Sequence, residues 1–332
     1  MNKKLKIAIL GLLILSACNQ QGPTQPPAQQ PKEETTTQET VNVDEPAELT
    51  ADFEPTIGGI DKQGDGPWKM RMLLATSTDG LNFTRSNIVL ADQANTPSIV
   101  VDKNGLIYIY YSGHTVGEKT NTGAVAISQD KGKTWIHKYI KIYDGDQVKS
   151  GTDPDVEILE DGTFRIYFIS SDFRSPTPRI YYADGTNGYD FTYGGVSFEE
   201  NGDAIDSSTF KVGDLWHQFT LVGNTLHQYH ATSEDGKIFT LYKTEDFTSG
   251  KKSYVMANEI QVDGGVRFYA FDLGDTSFRS FFSTDGYTWT MEDGARLTFD
   301  KNNQLESKYI KDPAVAKLAD GTYIMAYATV MP

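Results

Sequence analysis

The sequence predicts an all-β fold, a single five-bladed β-propeller whose last blade is closed by strands from both ends of the chain. A turn phrase built on Asp and Gly recurs with steps of 51, 54, 51 and 50 residues between its aspartates. A period near fifty is typical of propellers with four-stranded blades. A second phrase opens the blades, and both ends of the chain supply only part of a blade.

The turn phrase is most complete at 128–135, Ser-Gln-Asp-Lys-Gly-Lys-Thr-Trp, and shorter copies lie at 77–83, 183–191, 233–239 and 283–289. Asp-Gly places a residue with positive φ where two antiparallel strands reverse, and the aspartate accepts backbone N–H bonds within the turn. We therefore predict a structural role for these aspartates. The phrase resembles the Asp box of sialidases and other propeller glycosidases, which also occurs in propellers without that activity.

The second phrase marks the first strand of a blade. Thr96-Pro97, Asp153-Pro154 and Asp312-Pro313 each begin nine residues before a turn glycine, and Asp206 opens a shorter copy. The strands that follow these turns are apolar or alternating, as in 106–111.

The fourth blade lacks an aspartate at this position. Counting nine residues back from Gly264 or Gly265 reaches Val255 or Met256. Asp263 is therefore assigned to a turn between strands, and the first strand is placed at about 258–262.

The ends of the chain are predicted to complete the fifth blade. Residues 312–327 supply two strands, and 69–85 begin at a third strand and continue into a fourth. Joining them removes the exposed sheet edges that a linear array would leave. We place the propeller at 57–332.

The N-terminal part reads as a lipoprotein leader. Residues 1–17 carry lysines before a short apolar run and form the predicted signal peptide, and the chain's one cysteine, Cys18, follows Leu-Ser-Ala. This resembles the bacterial lipobox, which implies lipidation of Cys18 and a bacterial envelope location at the outer membrane or cell surface. Residues 18–56, rich in Gln, Pro, Thr and Glu, are predicted to be a disordered tether. A net charge of −15 argues against nucleic acid as a partner.

The mouth of the central channel is the predicted site, because the first strands of propeller blades line that channel. It is expected to gather Thr96, Asp153, Asp206, the 256–259 region and Asp312, with loops 112–121 and 170–178 around them. Converging carboxylates raise one another's pKa, as a general acid requires.

The chain here resembles the five-bladed propeller glycosidases of the arabinanase, β-xylosidase and fructan-hydrolase group. The resemblance implies an inverting pair of carboxylates in the channel. In the arabinanase type the base opens the first blade, where this chain has Thr96. Reading the triad one blade later gives Asp153 as base, Asp206 as orienting carboxylate and Glu259 as proton donor.

Other residues are expected to contact a glycan at the same site. These candidate binding residues are Asp312, Asp155, Thr96, His114 and Arg174. Alternatively, the aspartates simply cap strand ends, or they hold a channel Ca²⁺. The histidines show no metal-ligand spacing, so no metal site and no cofactor is predicted.

Three functions remain open from the sequence. The first is a tethered lipoprotein propeller that binds glycans and hydrolyses them, with glycan as its partner and the membrane contacted through Cys18. The second is a carbohydrate-binding lipoprotein without turnover, which Thr96 favours. The third is a protein-interaction scaffold in the envelope, because a fold of this kind constrains function weakly.

Overall fold

The computed structural model describes residues 49–59, 66–173, 175–223, 225–272, 274 and 276–332, most of which lie in strands and tight turns. A 3-10 helix (Pro67–Lys69) precedes β1 (Met70–Ser77) and β2 (Thr84–Asp92). The next strands are β3 (Ala94–Val101), β4 (Ile107–Val116), β5 (Lys119–Ser128), β6 (Ile136–Tyr139), β7 (Lys141–Asp144) and β8 (Gln147–Lys149). They are followed by β9 (Thr152–Ile158), β10 (Phe164–Ile169), β11 (Ile180–Gly185) and β12 (Asp190–Phe198).

The second half of the chain continues in the same way. It contains β13 (Ala204–Val212), β14 (Leu215–Val222), β15 (Gln228–Ser233) and β16 (Thr240–Glu245). It then forms β17 (Phe247–Ser249), β18 (Lys252–Val262), β19 (Gly265–Phe271), β20 (Ser277–Ser283), β21 (Thr290–Met291) and β22 (Leu297–Thr298). The last strands are β23 (Ser307–Lys317) and β24 (Tyr323–Val330). The described residues contain no helix with the length and apolar character needed to cross a bilayer.

The strands form five sheets, and each sheet is a blade. Blades 1 to 4 are β3–β6, β9–β12, β13–β16 and β18–β21, and blade 5 is β23, β24, β1 and β2. The first strands of neighbouring blades contact one another in a closed ring, from β3 through β9, β13, β18 and β23 back to β3. The predicted five-bladed propeller is confirmed.

Blade 5 joins the two ends of the propeller. β1 pairs with β24 antiparallel without interruption from Met70↔Val330 to Ser77↔Tyr323. The two ends of the propeller are thus joined over the full length of β1, and the predicted closure is confirmed. Blade 2 is wider than predicted, because the hairpin β7–β8 adds to it and β7 runs parallel to β12.

Buried tyrosines connect neighbouring blades. The hydroxyl of Tyr110 donates to the carbonyl of Gly188 over 2.8 Å, and that of Tyr269 donates to Gly80 over 2.7 Å. The hydroxyl of Tyr167 donates in the same way to Gly236 at 2.5 Å. In each case a second strand is attached to a tight turn of the next blade, which fixes the blades around the axis.

The Asp-Gly turns have the predicted hydrogen bonds. The hydroxyl of Ser128 donates to Asp130 Oδ1 over 2.9 Å, and the same oxygen accepts the backbone N–H groups of Lys133 and Thr134. The turns at Asp79, Asp235 and Asp285 are built alike.

The copy assigned to Asp184 is an exception. Asp184 lies within β11 and pairs with Arg165 at 2.7 Å. Asn187 makes the turn instead, since its side-chain oxygen accepts the N–H groups of Tyr189 and Asp190. An amide oxygen accepts the N–H groups of such a turn as a carboxylate oxygen does. The turn therefore lies at Asn187, three residues after the predicted position at Asp184.

Residues 49–59 lie along the outside of the propeller. Phe53 stacks on Tyr139 with ring centroids 4.7 Å apart, and Asp52 pairs with Lys138 at 3.0 Å. The carbonyl of Thr56 accepts the N–H of Asp92. These contacts extend the folded part of the described chain back to residue 49.

Candidate active site

A strained backbone position recurs at one end of the channel. Thr96, Asp153, Asp206 and Asp312 have φ between 48° and 50°, the left-handed region that residues other than glycine rarely adopt. Each lies at a break in the register between the first and second strands of its blade. Such strain costs about 1–3 kcal/mol per residue and clusters at functional sites. We call this end of the channel the mouth.

Asp153 is held by hydroxyl groups of blade 1. Its Oδ1 accepts hydrogen bonds from Thr96 Oγ1 at 3.0 Å and from Ser112 Oγ at 3.1 Å. Burial raises the pKa of Asp153, while these two hydrogen bonds and the charge of Lys311 oppose the rise. Thr96 thus supports a carboxylate of the next blade.

Asp206 lies in hydrogen-bond contact with Asp153. Burial, and then the charges of Asp153 and Asp312, raise the pKa of Asp206 well above its ordinary value. Two carboxyl groups in contact cannot both ionise without strong repulsion. Because the hydroxyl donors stabilise charge on Asp153, the pKa of Asp206 is raised further than that of Asp153.

Lys311 supplies the positive charge of the mouth, and it was not predicted from the sequence. Its Nζ lies 2.6 Å from Asp312 Oδ2. Burial alone lowers the pKa of Lys311, but Asp312, Asp206 and Asp153 outweigh this effect and raise it. We call Asp153, Asp206, Asp312 and Lys311 the mouth cluster.

The register break explains why both Lys311 and Asp312 face the mouth. Adjacent residues of a regular strand point to opposite sides. Between Lys311 and Ala314 the pairing of β23 with β24 is shifted, and Asp312 has a positive φ. This irregularity turns both side chains to the same side. The ammonium group also occupies the neighbourhood in which the sequence suggested Ca²⁺.

The mouth opens into a small depression with a cavity volume of about 50 Å³. The side chains of Asp153, Asp206 and Asp312 line it, with Asp155 at the same opening. Val255, Met256 and Phe271 form an apolar wall. An apolar surface beside a few converging polar groups is the usual composition of a small-molecule site.

Glu259 does not lie at the mouth, contrary to the expectation from the sequence. Asn258 pairs with Tyr269 as Asp155 pairs with Tyr167, so Met256 is the blade 4 counterpart of Asp153. Glu259 is three residues further along β18 and does not line the depression. The nine-residue spacing back from Gly265 reaches Met256, so this spacing indicates the correct position in blade 4.

Glu259 belongs to a second group of carboxyls, which we call the inner cluster: Asp155, which also reaches the depression, and Glu157 and Glu259, which lie deeper in the channel. Ser208 Oγ donates to Glu259 Oε2 over 2.8 Å, and Glu157 is in hydrogen-bond contact with Glu259. Burial raises the pKa of Glu259 to about 7.

Burial also raises the pKa of the other two carboxyls of the inner cluster well above the ordinary range. The charge of Glu259 adds to the effect on both Asp155 and Glu157. None of the three forms an ion pair with another described residue.

The remaining residues predicted from the sequence are His114, Arg174 and Cys18. His114 Nδ1 lies 3.1 Å from Asn121 Oδ1, and His114 does not line the depression. Arg174 and Cys18 lie outside the described residues. No group of His, Cys, Asp and Glu side chains with metal-binding geometry is found in the described part of the chain.

Solved structures with this fold include glycan-active enzymes. A glycosyl hydrolase from Bacteroides ovatus is 15% identical with a TM-score of 0.51, covering 70% of this chain and 83% of that one. A putative glycoside hydrolase from Parabacteroides distasonis is 13% identical with a TM-score of 0.51, covering 71% and 86%. An N-acetylgalactosamine deacetylase from F. plautii, solved with blood group B trisaccharide, is 11% identical with a TM-score of 0.52, covering 74% and 81%. At these identities the likeness shows the fold.

A family match adds to the shared fold. No protein with a curated description matches the sequence. The model of the glycosyl hydrolases family 32 N-terminal domain matches residues 63–278, more than half of the chain. The matched range contains Asp153, Asp206 and Glu259 and ends before Lys311 and Asp312. The chain therefore belongs to the family of the glycosyl hydrolases family 32 N-terminal domain.

Proposed function

We propose that the mouth binds a glycan and hydrolyses a glycosidic bond. The observation that carries this proposal is the arrangement of the mouth cluster: Asp206 lies against Asp153 in a buried position, which raises the pKa of Asp206, whereas Asp312 pairs with Lys311. Glycoside hydrolysis needs one carboxylic acid and one carboxylate on either side of the scissile bond. Two carboxyls whose surroundings differ in this way are suited to act as the acid and the base of such a reaction.

Asp206 is assigned as the proton donor to the leaving oxygen. Asp153 positions it, since these carboxyls are in contact. The same contact excludes Asp153 and Asp206 as an inverting pair, because such a pair must lie about 6.5–9.5 Å apart to admit a water. The base that activates water is then assigned to Asp312, whose Oδ2 lies 2.6 Å from Lys311 Nζ.

The roles derived from the sequence therefore change. Asp153 moves from base to positioning residue and Asp206 from orienting residue to donor, while Glu259 lies too deep to donate. The apolar wall of Val255, Met256 and Phe271 offers a surface for the C–H face of a sugar ring.

Product analysis tests this assignment. The soluble domain is incubated with fructans, arabinans and β-1,2-mannosides, and released sugar is followed by proton NMR, which also reports the anomer first formed. We expect release of a sugar with inverted configuration, and loss of that release in Asp312→Asn. Lys317→Met, an exposed change on the same strand, is the matched control. Release that persists in Asp312→Asn would contradict the role of Asp312.

A carbohydrate-binding protein without turnover is the second candidate. Thr96 stands where the related arabinanase-type enzymes carry a base, and its hydroxyl is committed to Asp153. Binding of a sugar in calorimetry without any release of product would favour this candidate.

We also propose that Cys18 is lipidated and attaches the propeller to a membrane of the bacterial envelope, with 18–48 as part of the tether. The lipobox-like Leu-Ser-Ala-Cys and the apolar run before it support this proposal. Cys18→Ala should move the protein from the membrane fraction to the soluble fraction, whereas Cys18→Ala protein that stays in the membrane would contradict it.

A further inference from the structure

The junction between blades 3 and 4 differs from three of the others. In blades 1, 2 and 4 a tyrosine of the second strand donates its hydroxyl to a turn of the next blade. Phe219 takes this place in blade 3, because it pairs with Ser208 just as Tyr167 of blade 2 pairs with Asp155. A phenylalanine has no hydroxyl to donate, so the turn of blade 4 is held in another way.

His217 packs against this turn. It lies in β14 two residues before Phe219 and is buried, with 1% of its surface exposed. A methyl group added at Gly286, the turn glycine of blade 4, would come within 2.7 Å of His217 Nε2, and the ring of Tyr287 lies 4.8 Å from the imidazole. The imidazole edge that carries Nε2 therefore packs directly on the turn.

A second histidine, His230 of β15, contacts the other side of His217. His217 Nδ1 lies 2.9 Å from His230 Nε2, and His230 Nδ1 lies 2.8 Å from Glu245 Oε1. A carboxylate only accepts hydrogen bonds, so His230 donates to ionised Glu245 from Nδ1 and accepts from His217 at Nε2. When both imidazoles are neutral, His217 then carries its hydrogen on Nδ1 and presents an unprotonated Nε2 to Gly286. We call His217 and His230 the histidine pair.

Ionisable groups face the histidine pair from two elements, whereas β13 and β14 present the apolar rings of Phe210 and Phe219. Lys243 Nζ lies 3.1 Å from the Glu245 oxygen that the pair contacts. Since a lysine accompanies this carboxylate, the pair can remain neutral beside it. The ionisable groups are Glu245, Lys243 and Tyr242 of β16 and Asp285 and Tyr287 of the turn after β20.

Burial makes protonation of the pair unfavourable in the folded protein. It lowers the pKa of His217 to about 4, with a further contribution from the charge of His230, while the charge of Asp285 opposes the change. An imidazole in water has an ordinary pKa of about 6.5. The pair therefore favours the closed junction fully above about pH 6.5, and this contribution is lost as the pH falls towards 4.

We propose that the histidine pair is an acid-sensitive switch at the junction of blades 3 and 4: in acid the pair takes up a proton, and the turn of blade 4 separates from β14. The tyrosine hydroxyls at the other three junctions do not titrate in acid, so their hydrogen bonds remain. Acid therefore opens the propeller first at this junction. The switch does not depend on the glycan chemistry proposed for the mouth.

Hydrogen exchange measured by mass spectrometry tests the switch at pH 7 and pH 4, after correction for the intrinsic pH dependence of exchange. The probe is the peptide 283–291, which contains the turn of blade 4, and the reference is 233–239, the turn of blade 3 that Tyr167 holds. We expect exchange of the probe relative to the reference to rise about 100-fold at pH 4, because the imidazole titrates at about 4 when closed and about 6.5 when open. A ratio that is the same at both pH values would overturn the proposal.

Two variants assign this rise to the pair. His217→Gln keeps an amide donor for His230 but cannot titrate, so it should lose the rise, and a rise that persists would overturn the role of the pair. His227→Gln changes an exposed histidine of the same blade and should keep the rise. Nitrogen-15 NMR of the parent protein provides a second measurement. We expect both imidazoles of the pair to carry hydrogen on Nδ1 at pH 7, and a hydrogen on Nε2 of His217 would contradict the arrangement against Gly286.

Discussion

Two groups of carboxyls share one channel, and they differ in what surrounds them. The mouth cluster has a lysine, two hydroxyl donors to Asp153 and an open depression. The inner cluster has three carboxyls with raised pKa and no ion pair among the described residues. Acidic residues near the axis are therefore not enough to identify a site. In the mouth cluster, Lys311 pairs with one of the carboxyls, Asp312, and the depression gives a substrate access to them.

The largest expected effect is a difference in kcat between variants of the mouth cluster and of the inner cluster. Asp206→Asn removes the proposed donor and should lower kcat by about 10²–10⁴-fold on the sugar that the product analysis identifies. Glu259→Gln changes the inner cluster and should lower kcat by less than about tenfold. Steady-state kinetics of both variants provides the comparison. An equal loss of kcat in the two variants would contradict the assignment of catalysis to the mouth cluster rather than to the inner cluster.

Removal of the cation is the next test. Lys311→Met leaves Asp312 without its partner in a buried site, and breaking such a pair costs about 3–5 kcal/mol of unfolding free energy. Lys317→Met, exposed on the same strand, should change stability by less than about 0.5 kcal/mol. Urea unfolding measures both. If the two variants are equally stable, Lys311 does not hold the mouth cluster together.

The sequence predicted more of the fold than of the mouth cluster. The nine-residue spacing from Asp153 or Asp312 to a turn glycine depends on local strand and turn geometry, and it located the first strands. Lys311 was missed because a neighbour of Asp312 in a regular strand would point away. Only the register break in β23 turns it to the mouth.

Glu259 illustrates the opposite error, a residue that the sequence assigned to the site but that lies elsewhere in the channel. Its residue type fitted the related enzymes, but its position did not, since Met256 occupies the equivalent place in blade 4. A resemblance in residue type cannot reveal a difference of three residues along a strand. Only strand pairing shows how deep in the channel a side chain lies.

The pH dependence of stability should distinguish the inner cluster. The pKa of Glu259 is about 7 in the folded protein and 4.5 in the unfolded chain, so the folded state binds more protons between these values. The contribution of Glu259 to stability is therefore present below about pH 4.5 and is lost as the pH rises to about 7, a change of about 3 kcal/mol.

Glu259→Gln cannot lose this proton, so its stability relative to the parent should increase across the same pH range. Glu160→Gln is the control, because the Glu160 side chain is 94% exposed. Thermal unfolding between pH 4 and pH 8 measures the difference. A constant difference between Glu259→Gln and the parent would show that Glu259 is not protonated in the fold.

The smallest expected effect concerns the hydroxyl that Thr96 donates to Asp153. Thr96→Val keeps the branched shape but removes a hydrogen bond of 3.0 Å, which should cost about 1 kcal/mol of unfolding free energy. Thr96→Ser retains the donor and should behave like the parent. If serine and valine have the same effect, the shape of Thr96 matters and its hydroxyl does not.

The most direct test of the account is the protonation state of Asp206. Carbon-13 NMR of the carboxyl groups, assigned by comparison with Asp206→Asn, reports this state between pH 4 and pH 8. We predict that Asp206 loses its proton at a pH well above the ordinary range of an aspartate, because burial and the charges of Asp153 and Asp312 raise its pKa. A carboxyl of Asp206 that is ionised throughout this range would contradict the assignment of the proton donor.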